Sequence, residues 1–222
     1  MTTESKYALI DGFEIVERES RKDMPTKVKE FRRLSKNIKS MIHLLPRADI
    51  PEEELSGIAD QLRAIASRIE KFPQRDMVRA RSKCSGGQAS LEDIYGLFDF
   101  DPLVGRSNPM CPELEYKIID ETVHATGNLG IAYQGPPDRI HGGVIASMFD
   151  AVLSRAEQLT GSLGFTGKLT VRYLKPTPLL TDIHFVARTE KKSGRKTVVN
   201  GTLSVNGEVT AEASSLMITL NK

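Results

Sequence analysis

One apolar segment in the second half of the chain, residues 141–159, constrains the fold more than any other stretch. It begins with His-Gly-Gly, ends before Gly161, and carries apolar residues around most of a helical cylinder. This distribution is typical of a helix that is buried on most sides. The segment therefore predicts one central helix. The acidic Asp150 near its middle needs a partner or solvent, because an ionised carboxylate is costly in apolar surroundings.

Segments of two-residue alternation surround this helix from about residue 97 onward. They lie at residues 114–126, 165–173, 183–187, 199–205 and 210–220. Such alternation is typical of half-buried strands. Between the last two segments, Asn206-Gly207 can supply the positive φ values of a type I′ turn, which predicts a tight hairpin. Residues 97–222 are therefore predicted to form an α+β domain in which an antiparallel sheet wraps around one central helix.

The preceding part of the chain, residues 1–96, has a helical pattern. Apolar residues recur at steps of three and four over residues 26–45 and again over residues 51–72, which predicts a helical hairpin. Residues 82–90 (SKCSGGQAS) are small and polar, so they predict a loop or linker. Ser90 followed by Asp93 predicts the cap of one further short helix. We expect residues 1–96 to be a helical extension of the sheet domain.

Composition argues against several classes of partner and site. The 222 residues carry a net charge of only +2, which argues against a nucleic-acid partner. The two cysteines lack the spacing of a zinc site or a disulfide framework. No apolar run approaches the roughly 20 residues of a membrane span, and the N-terminus does not resemble a signal peptide. We therefore expect a cytoplasmic protein with no metal and no membrane partner.

The start of the central helix has the groups needed to attack a polarised carbonyl. Gly143 and Asp150 are seven residues apart, close to two helical turns, so they share one face. Free N–H groups at a helix N-terminus can stabilise a developing oxyanion, and a carboxylate can activate water.

Further motifs surround this segment. The set is YQGPP at 133–137, HGG at 141–143 with Asp150, TGKLTVRY at 166–173, KPTPL at 175–179, SGRK at 193–196 and SLMI at 215–218. Together they resemble the hotdog-fold acyl-CoA thioesterases of the His-Gly-Gly group, which includes phenylacetate-pathway thioesterases and mammalian thioesterase superfamily members. The resemblance runs from about residue 98 to residue 221. It implies a hotdog fold with an N-terminal helical extension and hydrolysis of an acyl-CoA thioester. No separate cofactor is implied, because coenzyme A is part of the substrate.

The resemblance also implies roles for individual residues. Asp150 matches the carboxylate that activates water or, in some relatives, attacks directly. Gly143, which follows Gly142, matches the residue whose backbone N–H polarises the thioester carbonyl. Thr166 matches a hydroxyl that helps to hold the attacking water, and His141 matches a residue that orders the turn and can contact the thioester. The positions where relatives approach coenzyme A carry positive charge here: Arg172, Lys191, Lys192, Arg195 and Lys196.

Helix geometry adds a prediction about assembly. The rise from Gly143 to Asp150 is roughly 10 Å at 1.5 Å per residue, whereas catalytic contacts need about 3 Å. One carbonyl carbon cannot contact both groups of the same helix. Two such helices that run antiparallel across a twofold axis would bring Gly143 of one subunit beside Asp150 of the other. We therefore predict an obligate dimer, or a dimer of dimers, with shared sites.

Structural interpretations and other functions stay open. Asp150 could pair with Arg155, His141 could be only a helix cap, Thr166 could be an ordinary strand residue, and the basic residues 191–196 could be a solvated hairpin. One alternative function is a non-catalytic acyl-CoA-sensing regulator whose N-terminal helices bind DNA. The acidic residues 52–54 argue against this, because they would repel phosphates. Another alternative is a hotdog-type dehydratase, which needs a histidine and a carboxylate paired across its site. Only His141 could be that histidine.

Overall fold

One antiparallel sheet dominates the computed structural model, which describes residues 24–85 and 90–219. Its strands lie in the order β1-β2-β4-β5-β6-β3, so that β1 and β3 form the two edges. The strands are β1 (Glu115–Ile119), β2 (Thr122–Asn128), β3 (Gly164–Tyr173), β4 (Asp182–Ser193), β5 (Lys196–Val205) and β6 (Glu208–Thr219). The α+β class and the antiparallel sheet predicted from the sequence are confirmed.

The N-terminal helices are α1 (Thr26–Leu44), α2 (Glu52–Glu70), α3 (Met77–Ser85) and α4 (Leu91–Phe98), and the central helix is α5 (Gly142–Gln158). Both long helices predicted in the extension are present, but α1 and α2 do not pack along each other as a hairpin would. The loop predicted at 82–90 was wrong in its first part, because residues 82–85 complete α3; residues 86–89 lie outside the described residues. The predicted cap of α4 is confirmed as a capping box between Ser90 and Asp93.

The concave face of the sheet covers only one side of α5. The buried residues of α5 are Ile145, Met148, Phe149, Val152, Leu153, Ala156 and Glu157. They pack against inward-facing residues of β2, β4, β5 and β6 in one apolar core. The opposite stripe, which contains Gly143, Ser147, Asp150 and Ser154, is exposed or half-buried in the protomer. The prediction that α5 is buried on most sides was therefore wrong for a single protomer. The side left open is the one that carries Asp150.

A β-bulge in β3 determines which face Thr166 occupies. The pairing of β3 with β6 shifts between Thr166 and Lys168, so Gly167 is an extra residue. Strict alternation predicts that Thr166 faces away from the helix, together with Thr170 and Arg172. The bulge instead turns Thr166 to the same face as Leu169, which packs against the core.

Of the tight turns between strands, one was predicted from the sequence and another was missed. The hairpin predicted at Asn206-Gly207 is confirmed, with φ values of 51° and 81° and with Val205 paired to Glu208. The single strand predicted over residues 114–126 was wrong. It is a hairpin of β1 and β2 whose loop residues, Asp120 and Glu121, have φ values of 46° and 58°. Two positive φ values at non-glycine residues are uncommon, so the sequence offers little warning of this turn.

The extension is tied to the sheet domain through α1. The guanidinium of Arg32 donates two hydrogen bonds, of 3.0 and 2.7 Å, to the buried carboxylate of Asp99, just beyond α4. Farther along α1, the ring of His43 accepts the Ala132 N–H at Nδ1, at 3.3 Å. The boundary predicted between residues 96 and 97 falls inside α4. Helix α1 thus packs close to the loop that leads into α5.

Candidate active site

The N-terminus of α5 is held by the side chain that precedes it. His141 is the N-cap residue, and its Nδ1 accepts the Gly143 N–H at 2.9 Å. The His141 N–H donates to the Tyr133 carbonyl at 2.9 Å, which fixes the approach to the helix. The capping interpretation of His141 is thereby confirmed. A contact between His141 and substrate stays a prediction.

The glycine pair leaves one amide available at this helix start. Within the described residues the Gly142 N–H has no hydrogen-bond partner, as is usual for the first amides of a helix. The Gly142 carbonyl accepts the hydroxyl of Tyr173 at 2.7 Å. This bond ties the start of α5 to the edge strand β3. Sequence reasoning missed Tyr173, and the only signal for it was its place at the end of the TGKLTVRY strand.

Asp150 and Thr166 meet on the open side of α5. The Thr166 hydroxyl donates to Asp150 Oδ1 at 2.7 Å, and it also lies 3.4 Å from the sulfur of Met217. Asp150 is half-buried and Thr166 is exposed. The second carboxylate oxygen of Asp150 has no partner among the described residues, so it can accept a proton from water. The guanidinium of Arg155, the alternative partner considered for Asp150, lies over the ring of Tyr116, 5.2 Å from its centroid.

A second carboxyl group lies two helical turns beyond Asp150. Glu157 is almost fully buried, with 1% of its surface exposed, and its Oε2 accepts the Gly164 N–H at 3.1 Å. Burial raises the pKa of Glu157, because the charged form loses its hydration. Its contact anchors the first residue of β3 to α5. Glu157 therefore positions the strand that carries Thr166. No local sequence pattern indicates this role.

The predicted coenzyme A residues do not gather around Asp150 in one protomer. Arg172 lies on the outer face of β3, opposite to Thr166, and its guanidinium is 3.6 Å from Glu212. The other four lie at the exposed hairpin between β4 and β5: Lys191, Lys192, Arg195 and Lys196. There, Lys192 Nζ donates to the Thr160 carbonyl at 3.2 Å, beside the C-terminal end of α5. Their binding of coenzyme A stays a prediction.

The described residues hold no group of three or more metal-ligating side chains. Their helices include none that is both long and apolar enough to cross a bilayer. Clefts of about 480 Å³ between α1, α3 and α4, and of about 700 Å³ on the outer sheet face, lie away from Asp150. The open side of α5 presents the Asp150 carboxylate, the Thr166 hydroxyl and, roughly 10 Å away along the helix, the amides of its N-terminus. This set suits proton transfer and oxyanion binding.

Part of this chain is similar in sequence to known proteins. No protein-family model matches it. The acyl-coenzyme A thioesterases THEM4 of Mus musculus and of Rattus norvegicus are each 33% identical to it over 94 residues, 41% of this chain. The match spans about two fifths, 40%, of the length of these curated relatives.

One solved structure covers far more of the chain. The crystal structure of the thioesterase superfamily protein RHA08564 is 28% identical, with a TM-score of 0.70, and covers 85% of this chain and 90% of its own. Residues 97–222 alone could not account for that coverage. The likeness therefore extends into the N-terminal helices.

Proposed function

This chain belongs to the hotdog-fold thioesterase superfamily, and we propose that it hydrolyses an acyl-CoA thioester to the free acid and coenzyme A. The observation that carries the proposal is the 2.7 Å contact between Thr166 and Asp150 on the open side of α5. A half-buried carboxylate with one oxygen held and one oxygen free is suited to general-base catalysis.

In the proposed reaction, Asp150 acts on water. The Thr166 hydroxyl fixes Oδ1, and Oδ2 removes a proton as the water oxygen attacks the thioester carbon. The tetrahedral intermediate then breaks its carbon–sulfur bond. The departing thiolate takes up the proton that Asp150 received, so the carboxylate is regenerated. The products are the carboxylic acid and the free thiol of coenzyme A.

Backbone amides at the start of α5 are proposed to stabilise the oxyanion. Helix N-termini favour negative charge, and loss of one oxyanion donor typically costs about 10² to 10³ in rate. The Gly142 N–H has no partner in the described protomer, whereas the Gly143 N–H is held by the His141 ring. We propose that the Gly142 N–H is the first donor to the oxyanion. Gly143 adds its amide when the exposed His141 ring turns away.

Two protomers are proposed to complete each site. In one chain the glycine amides and Asp150 are roughly 10 Å apart along α5, too far for one carbonyl group. Among the described strands, β3 is an edge with one row of backbone groups unpaired, and it exposes Phe165 and Tyr173, with 66% and 52% of their surfaces accessible. Pairing of two β3 edges across a twofold axis would cover this edge and the open stripe of α5.

The decisive experiment is a thiol-release assay with a panel of acyl-CoA substrates that differ in chain length and aromatic content. We expect turnover by the wild type, and a fall of about 10² to 10⁴ in kcat for Asp150→Asn, because the general base is lost. Asp182→Asn is the matched control, since Asp182 is exposed and its carboxylate accepts a hydrogen bond from Asn128 at 2.9 Å. Equal turnover by Asp150→Asn and the wild type would contradict the mechanism. Absence of thiol release from every substrate would contradict the function.

A further inference from the structure

Helix α2 presents an apolar stripe that no described part of the protomer covers. None of its residues is buried, and no other described helix or strand packs along it. The stripe comprises Leu55, Ile58, Leu62, Ile65 and Ile69, and Phe72 continues it just beyond the helix. Apart from Ile58, these side chains keep between 38% and 73% of their surface exposed. Exposure of nearly every member of so regular a stripe is unusual for a surface helix.

The spacing of the stripe alternates between three and four residues throughout. This is the heptad pattern of a coiled-coil seam, which is narrower than the face that a helix packs onto a globular core. A helix of 19 residues that buries nothing is only marginally stable in water. The pattern therefore points to a partner helix with the same repeat.

We propose that α2 pairs in antiparallel orientation with α2 of a second copy of this chain. The first turn of α2 is acidic, with Glu52, Glu53 and Glu54, whereas Arg68 and Lys71 lie at its other end. A parallel pair would place the two acidic turns side by side. An antiparallel pair places each acidic end beside a basic end, so the charges favour that orientation.

One antiparallel register satisfies both the seam and the charges. When Leu55 of one copy faces Phe72 of the other, every residue of the stripe on one helix meets one on the other helix. In the same register Glu54 and Arg68, which flank the seam on one side, lie beside each other across the pair. In antiparallel coiled coils, such flanking positions set orientation and partner choice.

The charge of α2 disfavours a membrane surface as the occupant. Within Glu52–Glu70 the acidic residues Glu52, Glu53, Glu54, Asp60 and Glu70 outnumber the basic residues Arg63 and Arg68. Helices that lie on anionic membranes carry lysine and arginine on their polar face. An acidic helix would be repelled there, whereas a second copy of α2 offers complementary ends.

Sedimentation equilibrium of the full chain tests the pairing. We expect Leu62→Glu/Ile65→Glu to remove one association step or to weaken it by at least about 100-fold, because carboxylates would enter the seam. Ser67→Glu, on the opposite side of α2, is the matched control and should associate like the wild type. Leu62 and Ile65 are both exposed and belong to neither buried core cluster, so we expect the double substitution to leave the core unaffected. Unchanged association of Leu62→Glu/Ile65→Glu would overturn the proposal.

A charge exchange tests the orientation and separates this contact from pairing through β3. Glu54→Arg alone should weaken association by about tenfold, and Glu54→Arg/Arg68→Glu should restore it. These residues are 14 positions apart on one helix, so restoration requires contact between copies. Failure of the exchange to restore association would reject the antiparallel pair. Binding of the wild type to anionic phospholipid vesicles, lost in Leu62→Glu/Ile65→Glu without a change in association, would instead assign the stripe to a membrane.

Discussion

At the scale of single residues, the candidate site depends on one hydrogen bond. Asp150 is a costly residue in an apolar helix unless its carboxylate is solvated or bonded, and the structure provides both conditions. The hydroxyl of Thr166 holds one oxygen at 2.7 Å, and the open side of α5 leaves the other accessible. The contact therefore orients the proposed base without consuming its basic oxygen.

Substitution of Thr166 tests this orientation. We expect Thr166→Val to lower kcat/KM by about 10- to 100-fold, because a hydrogen bond to a charged group is worth about 1.5–3 kcal/mol. Thr166→Ser keeps the hydroxyl and should retain most of the activity. Steady-state thiol release measures both variants. Full activity of Thr166→Val, or a loss in Thr166→Ser as large as the loss in Thr166→Val, would contradict the proposed role of the hydroxyl.

At the scale of elements, the bulge in β3 connects strand geometry to the site. The extra residue Gly167 turns Thr166 toward α5, and the Glu157 carboxyl holds the start of the same strand through the Gly164 amide. A Cβ atom at residue 167 would lie 2.9 Å from Ile218 Cγ1 and 3.3 Å from the Leu216 carbonyl oxygen. Glycine is thus required at the bulge by the close approach of β6.

Gly167→Ala is expected to strain the β3–β6 contact and displace Thr166. The overpacking should lower the free energy of unfolding by about 1–3 kcal/mol, with a parallel loss of kcat/KM. Gly57→Ala is the control, because nothing lies within 4 Å of a Cβ there and alanine favours a helix. Urea unfolding measures both variants. Equal stability of Gly167→Ala and the wild type would show that β6 can move away from the added methyl group without a loss of unfolding free energy.

At the scale of the whole molecule, the proposed site extends over two chains. The N-terminal helical extension contacts the segment of the chain that leads into α5. Helix α1 places His43 against Gly130 and Ala132, in the segment that leads to Tyr133 and α5. A Cβ on Gly130 would lie 2.6 Å from the His43 ring, so the contact is close. The state of the extension can therefore influence the start of α5.

Mixed dimers test whether two chains share a site. Asp150→Asn removes the base, and Gly142→Pro removes the amide proposed to serve first, while proline is tolerated at the first helical position. Each variant alone should be nearly inactive. After mixing through a dissociated state, half of the dimers carry one intact site, so about a quarter of wild-type activity should return. No recovery, despite mass-verified exchange of subunits, would place both groups in one chain.

Acidification should loosen the contact made by His43. Burial, with a smaller contribution from Lys39, lowers the pKa of His43 from its ordinary value of 6.5, whereas Glu113 acts to raise it. The folded state therefore binds fewer protons than the unfolded chain. Its contribution to stability is present above pH 6.5 and is lost as the pH falls through the lowered pKa.

The measurement is the free energy of unfolding from urea titrations at about pH 7.5 and about pH 5.5. His43→Gln, which does not titrate in this range, should lose less stability on acidification than the wild type does. Identical pH dependence in the two proteins would show that His43 does not titrate differently on folding.

The sequence by itself determined the elements with local physical causes. The apolar periodicity located α1, α2 and α5, the Ser90–Asp93 pair capped α4, and Asn206-Gly207 formed the predicted hairpin. Each depends on contacts within a few residues, which the sequence displays directly. The grouping of Asp150 with the glycine pair on one helix face likewise followed from the helical repeat.

Only the tertiary structure decided the features that depend on distant neighbours. The turn at Asp120-Glu121 uses positive φ values at residues that rarely adopt them, and the bulge at Gly167 follows from the pairing of β3 with β6. Glu157 is buried by neighbours from other elements, and the hydroxyl of Tyr173 bonds to Gly142, which is 31 residues away in the chain. Packing between elements sets these positions, and no local pattern encodes which partner a strand or side chain will meet.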